Sequence, residues 1–468
     1  MAMFINTIRK IFPAILLAFD TIAFYLIYFV ITFLRTGNSE SFFSSDQILF
    51  SIITCNALSL YLVGAYEYQK IDRSARFISE HLIASVIGAT LSLFIILIFV
   101  SYGDRVETNR TSLLGTFLLF TPFSILYRSL IGRIRAKRKR NKCIIIIGSS
   151  DDTYKFIKDI KDQNFTEKIY VLSNKLNKKL MEKLNSINVD TLKNDQFQSE
   201  AQSINGIVIN KIILADSMNQ LDLDNNLKRQ LMERHLKKND IVSLEKFFLS
   251  EFKYVPTKLV DEDWPFQHGF RITKNVAYLQ GKRTIDLFLS IMVLILASPV
   301  MAIAMLAVKL TSAGPIFFRQ QRIGAGEEPF TLFKLRTMKV GSDAKGDYTT
   351  VDDPRVTPIG NFLRKSRLDE LPQLINVIRG EMSLIGPRAE WEKLVKNYEE
   401  AIPHYHLRHI VKPGITGWAQ VNYPYGANLE DTINKLKYDL YYVRYFSLVM
   451  DMTIIIKTVY TMLFGRGR

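Results

Sequence analysis

Four apolar runs occupy the first third of the chain, at residues 11–34, 48–66, 77–100 and 112–131. Each is close to the ~20 residues that carry an α-helix across the hydrocarbon core of a bilayer. The pattern therefore predicts a four-helix transmembrane region over residues 1–141. Cations sort to alternate connections. Arg9 and Lys10 precede the first run, Lys70, Arg73 and Arg76 separate the second from the third, and a basic stretch from Arg133 to Lys142 follows the fourth. The other two connections are balanced, Arg35 against Glu40, and Arg105 and Arg110 against Asp104 and Glu107. The positive-inside rule then places the N-terminus and everything after residue 131 in the cytoplasm.

The pattern changes after residue 142. A short all-apolar strand at 143–147 ends in Gly148-Ser149-Ser150, a second strand is expected at 206–214, and Lys-rich helical stretches lie between. Such alternation predicts a small parallel sheet in an α/β domain at 142–270. It is Rossmann-like but degenerate, because one glycine stands where a dinucleotide fingerprint needs three. Tyr154 and Lys158 have the spacing of a dehydrogenase pair, but Tyr66 and Lys70 repeat that spacing inside the membrane region. The domain reads as a packing or dimerisation module, so a homodimer is among the expected assemblies.

A further apolar run, 285–310, is long enough to span. Yet Lys282 and Arg283 precede it, Lys309 follows it, and Ser298-Pro299 interrupts its middle. Proline removes a backbone donor, and a serine hydroxyl can pair with the carbonyl that is freed. Cations at both ends predict a re-entrant helix–break–helix element at 284–310 that opens a third domain, 271–468. The alternative, a kinked fifth span, would put residues 311–468 outside the cell. Near the C-terminus, 446–464 mixes apolar residues with Asp451 and Lys457 and follows Arg444, which suits an amphipathic surface helix.

The formal net charge is +16. The basic stretch at 133–142 sits at a membrane exit, which favours anionic lipid headgroups over nucleic acid. Cys55 and Cys143 are the two cysteines, too few for a disulfide framework or a zinc site. No small-residue cleavage site follows the first apolar run, so no removable signal peptide is expected.

Candidate chemistry gathers after Gly314. Arg319 and Arg322 end one strand-like run, Lys334 and Arg336 share a face of another, and Asp352-Asp353-Pro354-Arg355 forms a charged turn. Guanidinium groups converging on one cleft would suit a pyrophosphate. Leu371, Leu374, Ile375 and Ile378 form a helical stripe, with Pro372 at its start and Gly380 at its stop. Asp369 and Glu370 therefore fall at a helix N-terminus, where a carboxylate pair can serve as a plain cap. Arg364 and Arg388 nearby open a second possibility. With a divalent metal on one carboxylate, the other stays ionised and nucleophilic.

Leu368-Asp369-Glu370-Leu371-Pro372-Gln373, Ser383-Leu384-Ile385-Gly386-Pro387-Arg388 and the run from Lys412-Pro413-Gly414 to Gln420-Val421-Asn422 together resemble the bacterial sugar transferases. These are polyisoprenyl-phosphate hexose-1-phosphate transferases, monotopic phosphoglycosyl transferases, and the likeness covers about 281–468. The architecture is similar to the large members that initiate exopolysaccharide or capsule synthesis in the bacterial inner membrane. The resemblance implies transfer of a hexose-1-phosphate from a UDP-hexose to undecaprenyl phosphate, with release of UMP. It implies that Asp369 is the nucleophile and Glu370 the Mg2+ ligand, and that Arg364 and Arg388 bind phosphate. Lys334, Arg336 and Asp439 would be further site residues, and Ser298-Pro299 the re-entrant break. Ala389 stands where the family commonly has a second proline.

His404, His406 and His409 have neither zinc-hydrolase nor finger spacing. An interfacial or packing role suits them, and Trp391 and Trp418 suit anchors. Two other readings meet the same architecture. A membrane-bound nucleotide-sugar dehydratase or epimerase needs the glycine fingerprint and Tyr/Lys pair that are missing here. A membrane scaffold would have no use for the Asp-Glu pair.

Overall fold

The computed structural model describes residues 2–37, 46–66, 75–101, 110–139, 142–148, 151–163, 165, 167–172, 178–192, 197, 203–204, 207–215, 223–238, 240–257, 264–267, 276–341, 353–424, 426 and 428–463. Most of the charged connections that set the predicted orientation (38–45, 67–74 and 102–109), Ser149-Ser150 and Asp352 lie outside these residues. The chain divides into two compact units, Met1–Phe252 and Lys253–Arg468.

The first unit begins with helices α1 (Ala2–Thr36), α2 (Asp46–Leu62), α3 (Ala75–Ser101) and α4 (Arg110–Lys139). Within them Ile11–Arg35, Phe77–Leu97 and Thr111–Ile134 are long and apolar enough to cross a membrane, and the second predicted run gives the shorter apolar helix Leu49–Leu62. Phe24, Ile52, Leu60, Ala84 and Phe120 close the core between the helices, while Leu26, Leu118 and Leu126 point outward. Outward apolar faces are what a lipid solvent demands. The hydropathy pattern hides one feature. Arg128 of α4 is fully buried, its Nη2 2.6 Å from Asp20 Oδ2 of α1 and its Nε donating to Ala65 O at 3.2 Å. Every charge in this pair is met, as an ion pair in an apolar bundle requires.

The unit continues with β1 (Lys142–Ile147), α5 (Asp151–Asp162), β2 (Lys168–Leu172), α6 (Lys178–Ser186), β3 (Asp190–Leu192), β4 (Ser203–Ile204), β5 (Ile207–Leu214), α7 (Asn225–Lys238), β6 (Ile241–Ser243) and α8 (Leu244–Glu251). The sheet order is β3-β2-β1-β5-β4, with β6 also pairing β5. All pairings are parallel except β4–β5. Ile144 to Ile147 are buried to a residue, which explains why β1 is apolar without alternation: helices cover both faces of a parallel sheet.

In the second unit a short helical turn, Trp264–Gln267, precedes α9 (Val276–Thr311), and the antiparallel hairpin β7 (Phe317–Ile323) and β8 (Pro329–Leu335) follows. Tyr278–Thr311 is also long and apolar enough to cross a membrane. The helix runs through Ser298-Pro299 without the interruption that the sequence predicts. Pro299 cannot donate to Ile295 O, and Ser298 Oγ donates to that carbonyl instead, at 2.7 Å. The hydroxyl takes the place of the missing donor at a point where a proline also bends a helix.

After the hairpin come α10 (Pro358–Lys365), a 3-10 turn at Leu368–Glu370, α11 (Gln373–Arg379), β9 (Ser383–Ile385), α12 (Glu392–Ala401), β10 (Gly414–Thr416), α13 (Trp418–Asn422), α14 (Leu429–Tyr445) and α15 (Leu448–Leu463). β9 and β10 pair in parallel. The predicted amphipathic helix is α15, but its charges face inward. Asp451 is buried and accepts from Tyr278 Oη at 2.7 Å, Lys282 Nζ at 2.7 Å and Tyr442 Oη at 2.8 Å. Leu448, Val449 and Met462 form the exposed side.

Candidate active site

Lys334 sits in β8 and Glu370 in the 3-10 turn, and their meeting sets the centre of the site. Lys334 Nζ donates to Glu370 Oε1 at 2.9 Å, and Arg388 Nη2 reaches the same oxygen at 3.4 Å. α11 is the part that brings turn and strand together. Its Asn376 is fully buried, accepts from Phe333 N at 3.2 Å and donates to Thr331 O at 2.7 Å. The predicted stripe of Leu371, Leu374, Ile375 and Ile378 is only partly the buried face; Gln373, Leu374, Asn376 and Val377 are the buried residues. Asn376 takes a place on the buried face because its amide serves β8, while Ile375 and Ile378 are half-buried and Arg379 is exposed. Gly380 closes it in the left-handed region at φ 86°, as predicted.

Asp369 is buried, and its Oδ1 has no hydrogen-bond partner among the described residues. Burial pushes its carboxyl above the usual carboxylate range, and neighbouring Glu370 adds to the rise, against Lys334, Arg364 and Arg367. Burial would raise Glu370 as well, but Lys334 and then Arg388 override it and hold Glu370 far below the usual range. The adjacent carboxylates thus differ: one is clamped in its charged form, the other is buried with an open oxygen. A simple helix-capping pair would show neither feature.

Arg364 ends α10 and donates through Nε to Thr337 Oγ1 at 2.9 Å, lining the same cleft. Arg336 also lines it, but its Nη2 is committed to Ser312 O at 2.7 Å and Ser312 Oγ at 2.8 Å, at the exit of α9. Its Nε and Nη1 have no partner among the described residues. Asp439 lies in α14 and pairs with Arg408, Nη2 to Oδ2 at 2.9 Å. The cleft, about 1800 Å³, takes in Lys334, Arg364, Asp369, Glu370, Arg388 and Asp439. Ser298 and Pro299 stand apart, in α9.

Three cations near the carboxylates were not singled out from the sequence. Arg367 occupies the left-handed region at φ 59° and enters the 3-10 turn. Arg408 is hidden among the histidines, and Lys435 precedes Asp439 by one turn of α14, where an i, i+4 spacing could have exposed it. His409 is buried against Tyr405, ring centroids 5.9 Å apart, and burial pushes its imidazole down to about 3. Trp418 donates from Nε1 to Lys253 O at 2.8 Å under Lys457, a structural anchor.

Residues 277–465 match the bacterial sugar transferase family model. The chain is 41% identical over 185 residues to the exopolysaccharide production protein PSS of Rhizobium leguminosarum bv. phaseoli, covering 92% of that protein and 38% of this one. This chain belongs to the bacterial sugar transferase family. It is also 44% identical over 187 residues to a UDP-N-acetylgalactosamine-undecaprenyl-phosphate N-acetylgalactosaminephosphotransferase of Aeromonas hydrophila, 40% of this chain and 44% of the relative. A UDP-glucose:undecaprenyl-phosphate glucose-1-phosphate transferase of Escherichia coli (strain K12) is 46% identical over 182 residues, 38% of this chain and 39% of the relative. The match therefore spans less than half the length of these two longer relatives, and the family-model match falls within the second unit. All the cleft residues named above lie inside the sugar transferase match.

The residues present suit a small divalent cation. Asp369 and Glu370 offer hard carboxylate oxygens, one of them unpaired, and Mg2+ binds through one or two carboxylates plus substrate phosphates.

Proposed function

We propose that the protein transfers a hexose-1-phosphate from a UDP-sugar to undecaprenyl phosphate, as the first membrane step of an exopolysaccharide or capsule. The observation that carries this reading is the buried Asp369 carboxylate with an open oxygen, beside a Glu370 held ionised by Lys334 and Arg388. Asp369 attacks the β-phosphorus of the UDP-sugar. The bond from that phosphorus to the bridging oxygen breaks, and UMP leaves with the electron pair. An oxygen of undecaprenyl phosphate then attacks the same phosphorus, which frees Asp369 and yields the polyprenyl diphosphate sugar. Arg364 and Arg388 hold the phosphates, and Lys334 keeps Glu370 charged. Mg2+, held by Glu370, would neutralise charge on the pyrophosphate.

We place the catalytic unit on the cytoplasmic side of the inner membrane, with α9 as a re-entrant hairpin. In a straight helix residues 283 and 312 would lie about 44 Å apart. Yet Arg283 donates to Val377 O at 2.5 Å and Ile378 O at 2.8 Å, Asn376 ties α11 to β8, and Arg336 just beyond β8 holds Ser312. Val308 packs with Leu335 and Leu363. Both ends of α9 on one small fold favour a change of direction near Pro299. The sheet of the first unit we take as a degenerate Rossmann-like assembly module. Membranes incubated with undecaprenyl phosphate, Mg2+ and a panel of UDP-sugars should release UMP with one or more of them. No release with any would overturn the reading.

A further inference from the structure

We infer that Arg408 is a positioning residue for Arg388, and that Asp439 acts through Arg408 rather than by touching substrate. The segment Gly386 to Glu390 lies outside the named strands, with one bridge from Arg388 to Gly414 of β10, and each of its carbonyls after Gly386 is held. Gly414 N donates to Pro387 O at 2.8 Å, Arg408 Nη2 to Arg388 O at 2.8 Å, Arg322 Nη1 to Ala389 O at 3.0 Å and Ile323 N to Glu390 O at 3.1 Å. Two of these four donors are guanidinium groups, so the segment depends on side chains for what a neighbouring strand would ordinarily supply.

Arg408 is oriented with unusual completeness. Its Nη1 donates to Tyr405 Oη at 2.8 Å, and its Nε and Nη2 reach Asp439 Oδ2 at 3.3 and 2.9 Å. Arg408 and Asp439 are 5% and 2% exposed. A buried ion pair of this kind is costly to break and fixes geometry well. Asp439 Oδ2 aims the guanidinium, the guanidinium holds the Arg388 carbonyl, and the Arg388 side chain reaches Glu370 Oε1 at 3.4 Å.

The inference rests on reading Arg388 as a phosphate-holding cation, so its test uses binding as well as turnover. Full-length protein in lipid nanodiscs is titrated with UDP, read as a rise in unfolding temperature, and assayed for UMP release. Arg388→Ala, Asp439→Asn and Arg408→Met should each weaken UDP binding about tenfold, and Arg408→Lys, which keeps one donor, less. In the Arg388→Ala background, Asp439→Asn and Arg408→Met should add less than about twofold. Full additivity there would overturn the inference, since a residue that contacts substrate or merely props the fold keeps its own effect. Failure of UDP to stabilise the wild type would also overturn it. If Arg408→Met does not fold, Arg408→Lys and Asp439→Asn carry the same comparison. Retained UMP release by Asp369→Asn would instead sink the proposed mechanism and leave this coupling standing.

Discussion

Lys334 Nζ lies 2.9 Å from Glu370 Oε1, while the adjacent Asp369 presents an oxygen that no described residue meets. One lysine thus separates the chemistry of two neighbouring carboxylates. Because the Asp369 carboxyl is raised by burial and by Glu370, the ionised nucleophile should be lost as pH falls through a value above the ordinary carboxylate range. Lys334→Met removes a cation that lowers both acids. The acid limb of kcat/KM for UMP release should then move to higher pH. An unmoved limb would show that Lys334 does not set the ionisation of the pair.

Asp369→Asn should reduce UMP release by at least about a thousandfold and abolish trapping of labelled phospho-sugar on the protein. The same change should stabilise the fold. A carboxyl whose folded pKa is raised contributes stability below its unfolded pKa, and that contribution is lost as pH rises through the folded value. Near neutral pH the native charge is therefore a liability, and removing it should gain about 0.5–2 kcal/mol. Chemical denaturation at pH 7.5, compared with wild type, checks the sign; a lower stability would contradict it.

Gly386→Ala should inactivate the protein by distortion rather than by loss of a reactive group. An added Cβ would sit 2.3 Å from Lys412 O, where backbone has little room to yield. The expected cost is about 2 kcal/mol or more, read as a lower unfolding temperature together with lost UDP binding. Gly281→Ala, with open space around its Cβ, is the matching control and should behave as wild type.

Topology is checked with single cysteines at Gly281 and Ser312 in a chain from which Cys55 and Cys143 have been removed. A membrane-impermeant thiol reagent applied to intact cells should label neither site until the inner membrane is opened. Labelling at Ser312 alone would establish a full crossing by α9.

Much of the site could be read from the sequence because its chemistry is carried by short, contiguous motifs. Asp369, Glu370 and Arg388 sit in runs whose glycines and prolines set the local turns, and β8 alternation put Lys334 on the cleft side. The rest depends on contacts between distant segments. Arg336 reads like a phosphate ligand, but one of its nitrogens is spent on the end of α9. Arg408 looks like one more basic residue until its burial against Asp439 is known. In the sequence Asn376 stands as a polar residue amid apolar neighbours, and only the fold reveals that it carries the strand-to-turn link. Pro299 is a different case: the sequence predicts a break, and the residues on both sides stay helical with the Ser298 hydroxyl on the Ile295 carbonyl.

The order in which the cleft is completed bears on how the protein is made. Arg388 takes its support from Arg408, 20 residues later, and Arg408 takes its own from Asp439, 31 residues beyond that. β9 likewise has no partner until β10 exists. Asp369 therefore leaves the ribosome well before the frame around it can assemble. On the proposed mechanism, a chain cut short ahead of α14 carries Asp369 without that frame, and unfinished copies should spend no nucleotide sugar.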